Sequence, residues 1–175
     1  LEGDWNWKCV QDNFNESYHL PFVHPQTRFV MEQSYRDCQF DLYAPHGHAR
    51  MFMPGSRPSR SLRGHTDTVL DMMRTELTYW GLDPGDFRDD PLRTREALQQ
   101  AKRKKGAEKG YDFSHFHDAQ LTDHFHYTIF PNISFSLKPD GCIWLRADPH
   151  PTDPERCYFD MWYFTWFPEG KDRYY

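Results

Sequence analysis

The 175-residue sequence predicts one α+β domain, in which an antiparallel sheet carries helices on one face. Three observations support this fold class. Two central segments have the periodicity of amphipathic helices, and the last third alternates apolar and polar residues as strands do. A hairpin signal also precedes the helices. Strands and helices are therefore segregated along the chain instead of alternating as they do in parallel folds.

The first third is expected to hold a short helix and a hairpin. We predict the helix over residues 12–19, because Pro21 follows it and Pro25 opposes further α structure. Residues 38–52 alternate irregularly around the turn-forming segment 45–47. This pattern predicts two short antiparallel strands.

The middle of the chain contains a loop and two helices. Residues 54–61 are polar and punctuated by proline and glycine, which is typical of a mobile surface loop. Residues 68–80 have apolar side chains at helical spacing and end before Gly81. A second helix is expected over residues 92–105, capped by Asp90. Its terminal lysines and arginine are interpreted as a solvated helix end.

The last third is expected to be a meander of strands. Residues 125–137 alternate, so we predict a strand there with the following apolar residues on one side: Ile129, Ile133, Phe135 and Leu137. Residues 139–141 form a hairpin signal, and residues 142–147 return antiparallel. A proline-rich turn over residues 148–155 then leads to a strand over residues 157–167.

Composition limits the possible partners and locations. A net charge of −5 leaves no basic excess to neutralise phosphates, which argues against nucleic-acid binding. The sequence has no long apolar run and no signal peptide, so we expect a cytoplasmic protein without membrane contact. Aromatic residues make up 17% of the chain. They are expected to dominate the core and would suit a pocket for flat apolar ligands.

The four cysteines give no sign of a metal or redox motif. Cys9, Cys38, Cys142 and Cys157 are widely scattered, and none forms Cys-x2-Cys. This spacing argues against structural zinc and against a catalytic dithiol. We expect reduced thiols, although the even number leaves disulfides open.

The most informative motif is Glu16-x2-His19-x4-His24. Two imidazoles and a carboxylate are the ligands of non-haem Fe(II) oxygenases. On a helix Glu16 and His19 share a face, whereas His19 and His24 converge on one ion only if the turn is distorted, as Pro21 allows. From spacing alone, two histidines unrelated to metal remain the commoner case. Three His-x-His pairs are interpreted as loop or surface residues: His46/His48, His115/His117 and His124/His126.

The wider sequence carries a more specific pattern. Asn6-Trp7-Lys8 precedes Asp12-Asn13 and the motif ending at His24-Pro25, and Phe130-Pro131-Asn132 follows much later in the chain. In this order, these segments resemble the catalytic domain of Rieske non-haem iron (aromatic ring-hydroxylating) oxygenase α subunits. The resemblance covers most of the chain. It implies a helix-grip (START/Bet v 1-like) fold.

The resemblance also implies roles for individual residues. His19 and His24 would be the imidazole ligands of mononuclear Fe(II). Glu16 would not bind iron, since the acid at this position links a ligand histidine to a Rieske-cluster histidine of the neighbouring subunit and carries electrons. Asn13 and Tyr18 would support the site by hydrogen bonding and packing.

The implied reaction is oxygen activation. Fe(II) would activate O2 to hydroxylate or demethylate an apolar, aromatic substrate. Electrons would come from a Rieske [2Fe-2S] cluster, which a ferredoxin or reductase reduces. The family implies a parent protein that assembles as a homotrimer or α3β3.

The sequence departs from the family in two respects. A Rieske cluster requires Cys-x-His and Cys-x2-His, and Cys-x-His does not occur here. The family's third iron ligand is an acid on a helix after the last strands, and none of the acids in the last third matches that position. We therefore expect residues 1–175 to be a partial catalytic domain without the Rieske domain and the C-terminal helix. The third carboxylate is expected beyond Tyr175, so the chain alone should be inactive.

Two other functions remain open on the sequence. A non-catalytic module of the same fold could bind apolar small ligands in an aromatic cavity without metal. A hydrolytic zinc enzyme is disfavoured because His-Glu-x2-His is absent.

Overall fold

Seven antiparallel strands form one sheet in the order β1-β7-β6-β5-β4-β3-β2. The computed structural model describes residues 1–167. From β2 onward each strand pairs with its sequence neighbour, and β1 returns to pair with β7. The strands are β1 (Glu2–Gly3), β2 (Gln39–Tyr43), β3 (His48–Met53), β4 (His124–Ile129), β5 (Ile133–Lys138), β6 (Gly141–Pro149) and β7 (Cys157–Thr165).

Four α-helices accompany the sheet, which confirms the predicted α+β class. They are α1 (Trp7–Phe14), α2 (Leu20–Val23), α3 (Thr66–Tyr79) and α4 (Thr94–Lys105). Short 3-10 turns connect them, including Pro25–Phe29 after α2 and Pro91–Arg93 before α4. None of the described helices combines the length and apolar character that crossing a bilayer requires.

The helix predicted over residues 12–19 lies instead at Trp7–Phe14. Asn6 explains the earlier start, because its side chain accepts a hydrogen bond from the Lys8 amide and caps the helix. The helix ends at Asn15, whose own amide bonds back to Asp12. Glu16 and His19 therefore lie after α1, in the turn that enters α2.

The two faces of the sheet differ in chemistry. The α1 face packs beneath α1 and carries mainly small, sulfur-containing and polar side chains: Ala49, Met51, His126, Thr128, Ser134 and Leu145. On the opposite face, here called the aromatic face, Tyr127, Phe135 and Trp144 stack with ring centroids 5.2 Å apart at each step. Exposed Trp162 and Phe164 lie on the same face.

The single strand predicted over residues 125–137 is two strands, β4 and β5, which pair through the turn at 130–132. The four apolar residues predicted on one side of this segment nevertheless lie on one face of the sheet. Ile129 pairs with Ile133, so both lie on the aromatic face, as Phe135 and Leu137 do. The polar partners Thr128 and Ser134 are buried on the α1 face, so the more polar side of the hairpin is the better buried one.

The segment predicted as a mobile surface loop, residues 54–61, is largely buried. Gly55 to Ser59 are all buried. The carboxylate of Glu32 explains this burial, since it accepts hydrogen bonds from the Ser59 hydroxyl at 2.6 Å and the Arg60 amide at 2.9 Å. A polar segment can be interior when a buried acid satisfies its donors.

Helices α3 and α4 enclose a hydrophobic cluster separate from the one at the sheet. Its fully buried members include Leu77, Leu98 and Leu121, with Trp80 and Phe113 packed beside them. The smaller sheet cluster comprises Cys38, Met51 and Met53, against which Leu20 of α2 and Met31 pack. Helix α2 is thus held against the sheet through its first residue.

Candidate metal centre

His19 and His24 flank the single turn of α2. His19 is the N-cap residue, and His24 is the C-cap with φ −125° and ψ 56°. This break from helical geometry at His24 agrees with the effect predicted for Pro25. The two rings lie edge to face, with centroids 5.5 Å apart and an interplanar angle of 79°. The short helix brings together the two histidines that an unbroken helix would separate.

Glu16 holds His19 through both of its carboxylate oxygens. One oxygen accepts the backbone amide of His19, the residue that precedes the first residue of α2, at 3.1 Å. The other bonds to Nδ1 of the His19 ring. A carboxylate can only accept, so Nδ1 must carry the proton, which leaves Nε2 of a neutral ring with a free lone pair. The predicted Glu16–His19 contact is thus present, although no common helix produces it.

The histidine geometry fits a shared ion. A coordinating imidazole nitrogen lies about 2.0–2.1 Å from a first-row metal, so two rings on one ion have centroids at most roughly 6 Å apart. The observed 5.5 Å lies within that limit. The Glu16 side chain is 18% exposed and that of His19 is 14% exposed, whereas His24 is exposed. The pair is therefore accessible from one side and supported by a carboxylate on the other.

A third protein ligand is not found in the described part of the chain. Within residues 1–167, no three His, Cys, Asp or Glu side chains are grouped closely enough to hold a metal ion. Glu16 bonds to His19 and does not form a group of three metal-binding side chains with the two histidines. The two imidazoles match two of the three protein ligands of a non-haem iron site. The third ligand, a carboxylate, is not found among the described residues.

The residues predicted to support the site are on the surface. Tyr18 is 76% exposed, and Asn13, the penultimate residue of α1, is exposed. Neither side chain has a hydrogen-bond partner among residues 1–167. Ser17, between Glu16 and Tyr18, is buried instead and lies 3.5 Å from the Gln33 carbonyl. A supporting role for Asn13 and Tyr18 stays a prediction.

A buried polar cluster beneath α1 was not recognised from the sequence. Gln11 accepts a hydrogen bond from Ser134 at 3.1 Å, and His126 is 2.7 Å from the Ser136 hydroxyl. Phe14 stacks on the His126 ring at 5.3 Å. The amide nitrogen of Gln11 and Nε2 of His126 have no partner among the described residues. The available signal was the set of polar residues at alternate positions of β4 and β5, on the side opposite the apolar ones.

Burial governs the protonation of the β4 histidines. Burial, together with the nearby charge of Lys138, lowers the pKa of His124 to about 4. Burial also lowers the pKa of His126 to about 4, with an added contribution from His124. The surface interpretation of this pair is therefore wrong for His126, which is 3% exposed. His115 and His117 are exposed, as predicted.

Comparison with known proteins identifies one family. The model of the ring hydroxylating alpha subunit (catalytic domain) matches residues 1–169. No curated protein sequence gives a significant match to the chain. The family match spans α1, the histidine pair and all seven strands.

Proposed function

The chain belongs to the ring hydroxylating alpha subunit (catalytic domain) family, and on this premise we propose that His19 and His24 hold the catalytic Fe(II) of a Rieske-type oxygenase. The family supports an oxidoreductase role in general. The residue assignment is supported by one observation above others. The His19 ring is fixed by Glu16 through Nδ1 and lies 5.5 Å from the ring of His24.

His19 and Glu16 would act as a unit. A carboxylate that accepts the Nδ1 proton selects the tautomer and raises the basicity of Nε2, the nitrogen that binds metal. The backbone bond from the His19 amide to Glu16 adds a second restraint on the same carboxylate. His24 would approach from the other end of α2, held by the backbone bond of its amide to Leu20.

Bound Fe(II), with open coordination positions, would supply the chemistry that activates O2. Glu16 would have a second role, as the bridge to a Rieske-cluster histidine of a neighbouring subunit. Its partial exposure supports this, because 18% of the side chain remains accessible although both carboxylate oxygens bond to His19.

We propose that an apolar substrate approaches on the α1 face of the sheet. Met161 and Tyr163 of β7 lie on that face by strand register, paired with Leu145 and Ile143. They are 45% and 70% exposed. Exposed apolar side chains on the same face as α1 offer a surface for an aromatic or other apolar ring.

The third carboxylate and the [2Fe-2S] cluster would come from outside residues 1–167. This rests on the two-imidazole donor set and on the absence of Cys-x-His from the sequence. A ferredoxin or reductase would then supply electrons to a parent homotrimer or α3β3 assembly.

Isotopically labelled dioxygen tests the proposed reaction. The protein is produced with its flanking coding sequence, supplied with a reducing system, and incubated with a panel of aromatic compounds. Label should enter a hydroxylated product, or the formaldehyde released on demethylation, and His24→Ala should abolish incorporation. His115→Ala removes an exposed histidine elsewhere and serves as the matched control.

Two results would contradict the proposal. Incorporation that survives His24→Ala would reject His24 as an iron ligand. Apolar-ligand binding without any incorporation in the iron-loaded parent protein would reject the oxygenase. The second result would favour the non-catalytic binding module of the same fold.

A further inference from the structure

Five arginine side chains line one cavity of about 550 Å³ between residues 57–63 and the beginning of α4. They are Arg57, Arg60, Arg63, Arg93 and Arg95. We call this cavity the arginine pocket. The acids of its lining are Asp90 and Glu96, so it carries a positive excess in a protein of net charge −5. Its lining shares no residue with the histidine motif at 16–24.

Buried Glu32 fixes the first wall of the arginine pocket. Its carboxylate accepts the Arg57 guanidinium at 3.1 Å and the Arg60 amide at 2.9 Å. The side chain of Glu32 is 0% exposed and that of Arg57 is 7% exposed. The Ser59 amide also bonds to the Arg28 carbonyl at 2.8 Å. The wall is therefore rigid, although it contains no helix or strand.

The second wall, the first turn of α4, is tied to the same segment. The Thr94 hydroxyl donates to the Ser56 carbonyl at 2.8 Å. Buried Asp123 accepts both the Arg95 guanidinium, through two bonds of 2.6 and 2.7 Å, and the Gly55 amide at 3.1 Å. These bonds hold the two walls at a fixed separation. The pocket is preorganised, which reduces the entropy cost of binding a small ligand.

Two of the five arginines have no acidic partner, and a third has only a distant one. Arg63 and Arg93 form no ion pair within residues 1–167, and Arg60 pairs with the Asp37 carboxylate at 3.8 Å. Arg63 donates to the Arg60 and Leu62 carbonyls. By contrast, the charges of Arg57 and Arg95 are balanced by Glu32 and Asp123. The pocket therefore presents guanidinium groups whose positive charge is not compensated.

The position of Arg93 also opposes the dipole of α4. Cations are unfavourable at the first turn of a helix, where the exposed amides are already partly positive. Arg93 is the N-cap residue of this helix. A local arrangement that costs stability in the folded chain is expected at functional positions. An anion in the pocket would offset both the repulsion among the arginines and the unfavourable helix end.

We propose that the arginine pocket binds a small, multiply charged oxyanion of the phosphate or dicarboxylate type. Guanidinium groups recognise both through paired N–H donors, which match two oxygens of one anion. The concave shape and fixed walls suit a small molecule better than a flat protein surface. This site is independent of the iron chemistry proposed above.

Calorimetric titration of the full chain tests the proposal. Inorganic phosphate and malonate are titrated separately at about pH 8, above the second phosphate pKa, with chloride at matched ionic strength as the reference. We expect one anion bound per chain. Arg93→Gln and Arg60→Gln should each weaken binding roughly tenfold, as expected for the loss of a charge-assisted hydrogen bond. Both side chains are exposed, so the fold should persist, and thermal unfolding confirms this.

Arg74→Gln is the matched control, because it removes the same charge from an exposed arginine of α3 outside the pocket. It should leave binding unchanged. Saturable binding of phosphate, malonate or both, reduced in the pocket variants alone, supports the proposal and identifies the preferred anion. Binding of neither anion, or an equal loss in Arg74→Gln, overturns it. Neither outcome depends on iron or oxygenase activity.

Discussion

The His19 imidazole donates its Nδ1 proton to the Glu16 carboxylate, which also accepts the backbone amide of His19. One acid thus fixes both the ring and the backbone of the same residue. The arrangement leaves Nε2 as the nitrogen available to a metal.

Glu16→Gln should weaken iron binding roughly 10- to 100-fold, the usual effect of losing an acid that supports a ligand histidine. The amide keeps the size of the side chain and removes its charge. Anaerobic Fe(II) titration of the protein with its flanking coding sequence measures the change. Glu108→Gln, at an exposed position, is the control. Equal affinities for Glu16→Gln and the parent would exclude a supporting role for the carboxylate.

Glu32→Gln should destabilise the fold by about 3–5 kcal/mol, because it leaves buried Arg57 without its counter-charge. The same carboxylate organises residues 57–60, so the loss is both electrostatic and structural. Urea denaturation gives the free energy of unfolding. Glu155→Gln, at the surface, should change it by less than about 0.5 kcal/mol. A Glu32 variant as stable as the parent would show that the buried ion pair contributes nothing.

The acid sensitivity of the fold should depend on Glu32. Burial alone would raise the pKa of Glu32, but hydrogen bonds from the Arg60 amide, the Ser59 hydroxyl and two further amides hold it below the ordinary 4.5. A depressed carboxyl pKa stabilises the fold above the unfolded value, and that stabilisation is lost as the pH falls through the folded value. Below pH 4.5, unfolding free energy should therefore fall more steeply in the parent than in Glu32→Gln. Parallel curves would contradict this.

His126 should affect stability in a higher pH range. Its folded pKa is about 4, against 6.5 for an exposed histidine. Between these values the unfolded chain binds a proton that the folded chain excludes, so stability falls as the pH drops from 6.5 to 4. His126→Gln should make this slope shallower by about 1.4 kcal/mol per pH unit. The exposed control His115→Gln should leave it unchanged, and an unaltered slope in His126→Gln would contradict the assignment.

The sequence correctly predicted the helices and strand whose signals lie within the segment itself. The predicted helix 68–80 is observed at Thr66–Tyr79, and 92–105 at Thr94–Lys105 after a 3-10 turn. The last strand was expected over 157–167 and lies at Cys157–Thr165. In each case apolar spacing, a cap or a hairpin signal is contained in the segment itself.

The incorrect predictions concern segments whose structure depends on residues far away in the sequence. Residues 55–59 are buried because Glu32 satisfies donors of this segment, and nothing within the segment shows that partner. The burial of Thr128 and Ser134 was not predicted, because it depends on α1, from which Gln11 bonds to Ser134. The Glu16–His19 contact was predicted for the wrong reason, since α1 ends at Phe14 and the acid bonds to His19 from the turn before α2.

Iron content measures the central claim most directly. The chain is produced anaerobically with its flanking coding sequence, as the parent and as His19→Ala, His24→Ala and His115→Ala variants. We predict about one iron per chain in the unmutated protein and in His115→Ala, and background iron in His19→Ala and His24→Ala. The unfolding transitions should be unchanged. Iron retained by either His19→Ala or His24→Ala, or a parent protein without iron, would contradict the assignment of these two histidines as the metal ligands.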